Sequence, residues 1–206
     1  MKRLINVLIL LTSAFTFASH AQDLTTPDVV VRTTIDEVLA DLSANKDQYL
    51  TDKTQLFAMV DRVIMPHMDL VRTQRLVLGK HARTIAPEKQ AEFGVEFKNL
   101  LLRTYGTAFY DYTDQQIVVK PLDNPNNEDR VTVFTEIIRT DAPNVILEFK
   151  MTNRDLPAWK VYDLVTEGVS LVSNYRSQYG GIITRNGIDA LIYQLADKNV
   201  EASTNQ

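Results

Sequence analysis

Three groups of side chains in this sequence are candidates for chemistry: two histidines, carboxylates inside strand-like stretches, and a short run of cations. His67 and Asp69 stand two apart in "HMD", and His81 follows at a distance. A metal site needs three or more converging ligands with hydrogen-bonded support behind them, and the rest of that constellation is missing, so no metal is expected. Glu136, Glu148 and Asp163 lie in alternating stretches, where a carboxylate facing a cavity can serve as a general base. Val131, Val133, Thr135 and Ile137 line one side of their stretch and put Glu136 on the other; Val145, Leu147, Phe149 and Met151 do the same to Glu148. Asp163 has apolar neighbours on both sides, which leaves two uses: an acid or base, or a structural hydrogen bond to the backbone or an arginine. Arg72, Arg75, Lys80 and Arg83 form a basic run that reads as a solvated face, or as a contact for an acidic partner or a lipid phosphate. No nucleophile elbow, phosphate loop or helical zinc motif occurs, so no catalytic residue is assigned and an enzyme is not expected.

The elements that must position these groups follow from periodicity. Thr26 and Pro27 have the N-cap and N1 order, and Val31, Ile35, Val38 and Leu42 recur at helical spacing to about Asn45. Leu56, Val60, Val63 and Ile64 mark a second helix that Pro66 ends or kinks. Asp69 to Leu78 is helical up to Gly79, and Pro87 opens the longest helix, along which Phe93, Phe97, Leu101, Tyr105, Ala108 and Tyr112 climb one face. Beyond Asp114 the period drops to two. Ile117 to Leu122, Val131 to Arg139, Val145 to Met151 and Trp159 to Val165 predict four strands, joined by "DNPNNED", "DAPN" and "NRDLPA". Such short connections favour antiparallel neighbours. Two closing helices carry Leu171, Tyr175, Tyr179 and Ile182, then Ile188, Leu191, Ile192 and Leu195, with Gly187 near the break. Helices, then a meander, then helices predict an α+β fold with helices gathered on one face of a curved sheet.

The amino-terminal stretch has the form of an export signal. Lys2 and Arg3 precede an apolar run from Leu4 to Ala18 and then "SHA", which predicts cleavage after Ala21. The mature domain, residues 22–206, then carries a formal charge of −6 in place of −4. There is no cysteine, hence neither a lipobox nor a disulfide, and a bacterial periplasm suits this better than a eukaryotic extracellular space. A net acidic balance argues against nucleic acid and against lasting adhesion to anionic membranes. The tail after Asp197, and residues 200–206 in particular, is expected to be disordered.

Five stretches in order make the chain recognisable: "LVLG" at Leu76 to Gly79, "TYG" at Thr104 to Gly106, "YDLVTEGVS" at Tyr162 to Ser170, "NYRSQY" at Asn174 to Tyr179 and "GIDALI" at Gly187 to Ile192. Together they resemble the MlaC family of periplasmic phospholipid-binding proteins, also called Ttg2-type toluene-tolerance carriers, over nearly the whole mature chain. The resemblance implies a twisted antiparallel sheet of about four strands on several helices, with acyl chains in an apolar cavity between the layers and the headgroup outside. It implies a periplasmic carrier with phospholipid as cargo and no cofactor. Its implied partners are an outer-membrane lipoprotein and porin complex and an inner-membrane ABC transporter with an MCE-domain ring, a system concerned with outer-membrane lipid asymmetry.

On that reading Val133, Ile137, Leu147, Phe149 and Val165 form the sheet wall, opposed by Leu101, Tyr105 and Phe109 on the long helix. Gly168 lets the chain bend so that Val169 and Val172 point into the gap. Tyr105, Tyr162, Tyr175 and Tyr179 are each either a mouth residue offering a hydroxyl to phosphate or a cap on a core edge. An aliphatic stripe alone does not separate a lined cavity from a filled core. Two rival readings remain: a periplasmic chaperone for lipoproteins or apolar polypeptides, and an enzyme on a cone-shaped α+β scaffold using Asp163.

Overall fold

The computed structural model describes residues 26–106, 115–122 and 128–204, so the export signal, Ala108, Phe109 and Tyr112 lie outside the described residues. Helix α1 (Pro27–Ala44) is followed by a short α2 (Lys46–Thr51), α3 (Lys53–Val63) and a 3-10 turn at Met65–His67. Pro66 sits in that turn, as its missing amide requires. Asp69 then caps α4 (Leu70–Leu78) by accepting the Arg72 amide at 3.0 Å. A second 3-10 turn, Gly79–Arg83, leads to α5 (Pro87–Tyr105).

Five strands form one antiparallel meander in the order β1 (Gln116–Val119), β2 (Arg130–Ile138), β3 (Val145–Thr152), β4 (Lys160–Thr166) and β5 (Val169–Ser170). The fifth, of two residues, returns from a turn in which Glu167 and Gly168 both have positive φ, 49° and 78°, as a tight hairpin demands. Helix α6 (Leu171–Thr204) breaks at Gly187, whose φ of 83° and ψ of 174° are non-helical. Its second arm continues to Thr204, past the point where disorder is expected from sequence. That arm is held to α5 by Leu191 and Leu195, and by Asn199, which donates to the Glu96 carboxylate at 2.7 Å. Among the described residues no helix is long and apolar enough to cross a membrane.

Three apolar clusters hold the layers together. The turn-end of α4, α5 and α6 meet around Phe93, Phe97, Val172, Tyr175, Tyr179 and Leu191. The second half of α1, with α2 and α3, closes around Leu42, Leu56, Met59 and Val60 and takes in Leu102 of α5. The first half of α1 lies on the sheet, with Val30 and Val31 against Val119, Val133, Met151 and Val161.

Candidate lipid-binding face

Cross-strand pairing defines one inner face. Val131, Val133, Thr135 and Ile137 pair with Met151, Phe149, Leu147 and Val145, and Ile117 and Val119 of β1 continue the row. The alternation read from sequence therefore holds in β2 and β3, and it leaves Glu136 and Glu148 on the opposite face. Glu136 there is held by Asn144 and Lys120, which lower its pKa.

Strand β4 obeys the alternation only in sequence. Its pairing slips between Lys150 and Met151: Met151 faces Val161 while Lys150 faces Asp163, so Tyr162 is the extra residue of a bulge. A one-residue slip exchanges faces. Val161 thus belongs to the inner face, whereas Asp163 and Val165, paired with Lys150 and Glu148, belong to the other. The Tyr162 carbonyl at the bulge accepts the Thr73 hydroxyl at 2.9 Å, and the Val161 carbonyl accepts the Asp69 amide at 2.8 Å, so the start of α4 seals this stretch of strand edge.

Asp163 is buried and structural. It accepts the Val172 amide at 3.0 Å and the Ser170 hydroxyl at 2.7 Å, while Ser170, the N-cap of α6, accepts the Ser173 amide at 3.0 Å. Lys150 adds a cation 3.4 Å away. The carboxylate thereby satisfies one orphan amide at the positive end of a long helix, and Ser170 a second. The backbone amide is one of the two partners that the sequence analysis allows, and a serine and a lysine stand in place of the other, an arginine.

The predicted lining residues divide accordingly. Val133, Ile137, Leu147 and Phe149 do share one face. Val165 is buried on the other. Leu101, Val172 and Tyr175 pack into the core between helices, because α5 rests on α6 and α3, and the helix lying across the sheet is α1. Tyr105 is 41% exposed at the end of α5, and Val169 is 57% exposed beyond the β4 turn, so neither points into a closed gap. Tyr162 is half-buried at the bulge. Tyr175 and Tyr179 belong to an aromatic stack, with Phe97 edge-on to Tyr175 at 5.1 Å. Burial, followed by the hydrogen bond with Tyr105, drives the Tyr175 pKa well above the usual phenol range; burial does the same for Tyr179.

Periodicity places Thr135 on this face, between Val133 and Ile137, but does not show the state of its hydroxyl. The residue is 1% exposed, and among the described residues the hydroxyl has no hydrogen-bond partner. Ile137 and Val145 on this face are buried as well. Two surface recesses of about 420 and 470 Å³ open elsewhere, the first beside α4 and α6 and the second over Tyr49, Met59 and Arg62. Beneath the second, burial and then Asp41, which accepts the Tyr49 hydroxyl, push that phenol up to about 12. Among the described residues no group of three or more His, Cys, Asp or Glu could hold a metal ion.

A five-stranded meander with an apolar inner face and helices packed on it defines an α+β protein. The MlaC protein family model matches residues 32–197, and the chain belongs to this family. It is 26% identical over 198 residues to the intermembrane phospholipid transport system binding protein MlaC of Haemophilus influenzae, covering 95% of this chain and 92% of that one. It is 28% identical over 183 residues to toluene tolerance protein ttg2D of Pseudomonas putida, covering 88% and 83%. Its fold is similar, with a TM-score of 0.77 and 28% identity, to a phospholipid-binding protein of Ralstonia solanacearum solved in complex with a phospholipid; the match covers 85% of this chain and 98% of that one.

Proposed function

We propose that the mature chain, residues 22–206, is a single-domain periplasmic carrier of phospholipid, with acyl chains against the inner face of β1, β2 and β3 and the headgroup outside. The observation that carries this reading is the phospholipid bound to a neighbour of the same fold over 85% of this chain. The physics agrees. An acyl tail in water is unfavourable by about 0.8 kcal/mol per methylene, so a diacyl lipid needs roughly 20 kcal/mol of shelter while crossing an aqueous gap. Val133, Ile137, Leu147 and Phe149 supply one apolar wall, and the buried Thr135 hydroxyl is the one polar point described on its second strand.

Burial of hydrocarbon carries little directional information, so several headgroup classes should bind alike. The protein needs no cofactor and performs no covalent step. Cargo passes between an outer-membrane lipoprotein and porin complex and an inner-membrane MCE-type ABC transporter, a reading supported by the family to which the chain belongs. Organic extraction of protein purified from the periplasm, followed by mass spectrometry, tests it. Glycerophospholipid close to one molecule per chain is expected. Lipid-free protein, or a co-purifying apolar polypeptide, would sink the carrier reading and favour the chaperone.

A further inference from the structure

The recess of about 420 Å³ beside α4 lies apart from the inner face. One wall is the turn at Gly79, Lys80 and His81, and the other is formed by successive turns of α6 at Arg176, Thr184 and Arg185. No carboxylate lines it among the described residues, and there Lys80, Arg176 and Arg185 make no ion pair. In a chain of net charge −4 this is a segregated concentration of positive charge. It also divides the basic run read from sequence, since Arg72 is committed to Asp69 at 2.9 Å while Lys80 faces the recess.

Lys80, Arg176 and Arg185 are exposed, and the two arginine side chains lie close against glycines of the recess. A Cβ at Gly79 would stand 3.1 Å from Cδ of Arg176, and one at Gly181 would stand 3.3 Å from Nη1 of Arg185. Across the recess the Thr184 hydroxyl lies 3.4 Å from Nε2 of His81. The Thr184 hydroxyl donates to the Gly180 carbonyl at 2.7 Å, which leaves two guanidinium forks and an ammonium as the donors for an oxyanion. A phosphodiester, like a carboxylate, offers two charged oxygens, so the occupant is argued from the three unpaired cations and from the room in the recess. The space is too small for a folded element and roomy for a bare ion, which points to a headgroup.

We propose that this recess is a phosphate site by which the protein docks on the surface of an anionic phospholipid bilayer. The contact is local and screened by salt, so a chain that is acidic as a whole makes it reversibly. It is independent of whether the sheet face carries cargo, and its test is run on lipid-loaded and delipidated protein alike.

The experiment is co-sedimentation at low salt with vesicles of phosphatidylglycerol and phosphatidylcholine, against phosphatidylcholine alone. Retention on the anionic vesicles is expected, about tenfold weaker for the Arg176→Glu, Arg185→Glu double variant and unchanged for Arg139→Glu, an exposed cation just past β2. Arg185→Gln, a milder change that the fold should accept, should give a smaller loss in the same direction. Equal retention of wild type and both recess variants would overturn the proposal. So would shifts of the Gly180 and Gly181 amide resonances with inorganic phosphate but no vesicle binding, which would make the site one for free phosphate. Binding to polyglutamate with none to vesicles would overturn it in favour of an acidic polypeptide.

Discussion

Asp163 shows how a buried acid can be absorbed by structure. With both oxygens taken by the start of α6, Asp163→Ala should cost about 1–2 kcal/mol in a urea titration while leaving recovered lipid unchanged. Loss of lipid, or of any turnover, at undiminished stability would instead place the carboxylate at a ligand. Thr135 offers the opposite case. Its unmet hydroxyl predicts that Thr135→Val stabilises the lipid-free protein by up to about 1 kcal/mol, measured as a rise in the denaturation midpoint. Tyr175 and Tyr179 set an alkaline limit. Their folded pKa values lie above the unfolded value of about 10, so the stability they contribute is complete below that pH and lost as the pH rises above it. Melting temperature should therefore fall steeply beyond about pH 10, and less steeply in Tyr175→Phe.

At the scale of elements, Gly187 joins two helical arms through a conformation open essentially to glycine alone. Gly187→Ala should lower stability by about 1–3 kcal/mol in thermal or urea unfolding, although a Cβ there would meet no neighbour within 4 Å, so the cost is conformational. Periodicity makes most elements legible: α1, α3, α4, the start of α5 and the four longer strands all lie within a few residues of where the apolar spacing puts them. The bulge in β4 is illegible for a definite reason. Val161, Asp163 and Val165 alternate without fault in sequence, and only the partner strand reveals that the first has changed sides relative to the other two. For the same reason the lining is half legible. Spacing shows that a helix has an apolar face but not what it meets, so the stripe on α5 that suggests a cavity wall is spent on α6, and α1 covers the sheet. The short α2 and the two-residue β5 are too brief for any period to register.

At the scale of the molecule, the helical and sheet-side cores are separate, and α6, which belongs to the first, is also tied to the sheet. Its amino-terminal end is fastened to β4 through Asp163, and its far arm to α5 through Glu96. The first half of α1, by contrast, rests on the sheet through aliphatic contacts and one long hydrogen bond, from Arg32 to the Val119 carbonyl at 3.4 Å. Amide hydrogen exchange should accordingly release α1 before the first turns of α6, and the reverse order would show that the polar tether is not the stronger hold. The asymmetry has a mechanical meaning. If the two layers part to admit a guest, α6 is the jamb and α1 the door, because aliphatic surfaces slide past one another at little cost, whereas a charged clasp must break before it yields.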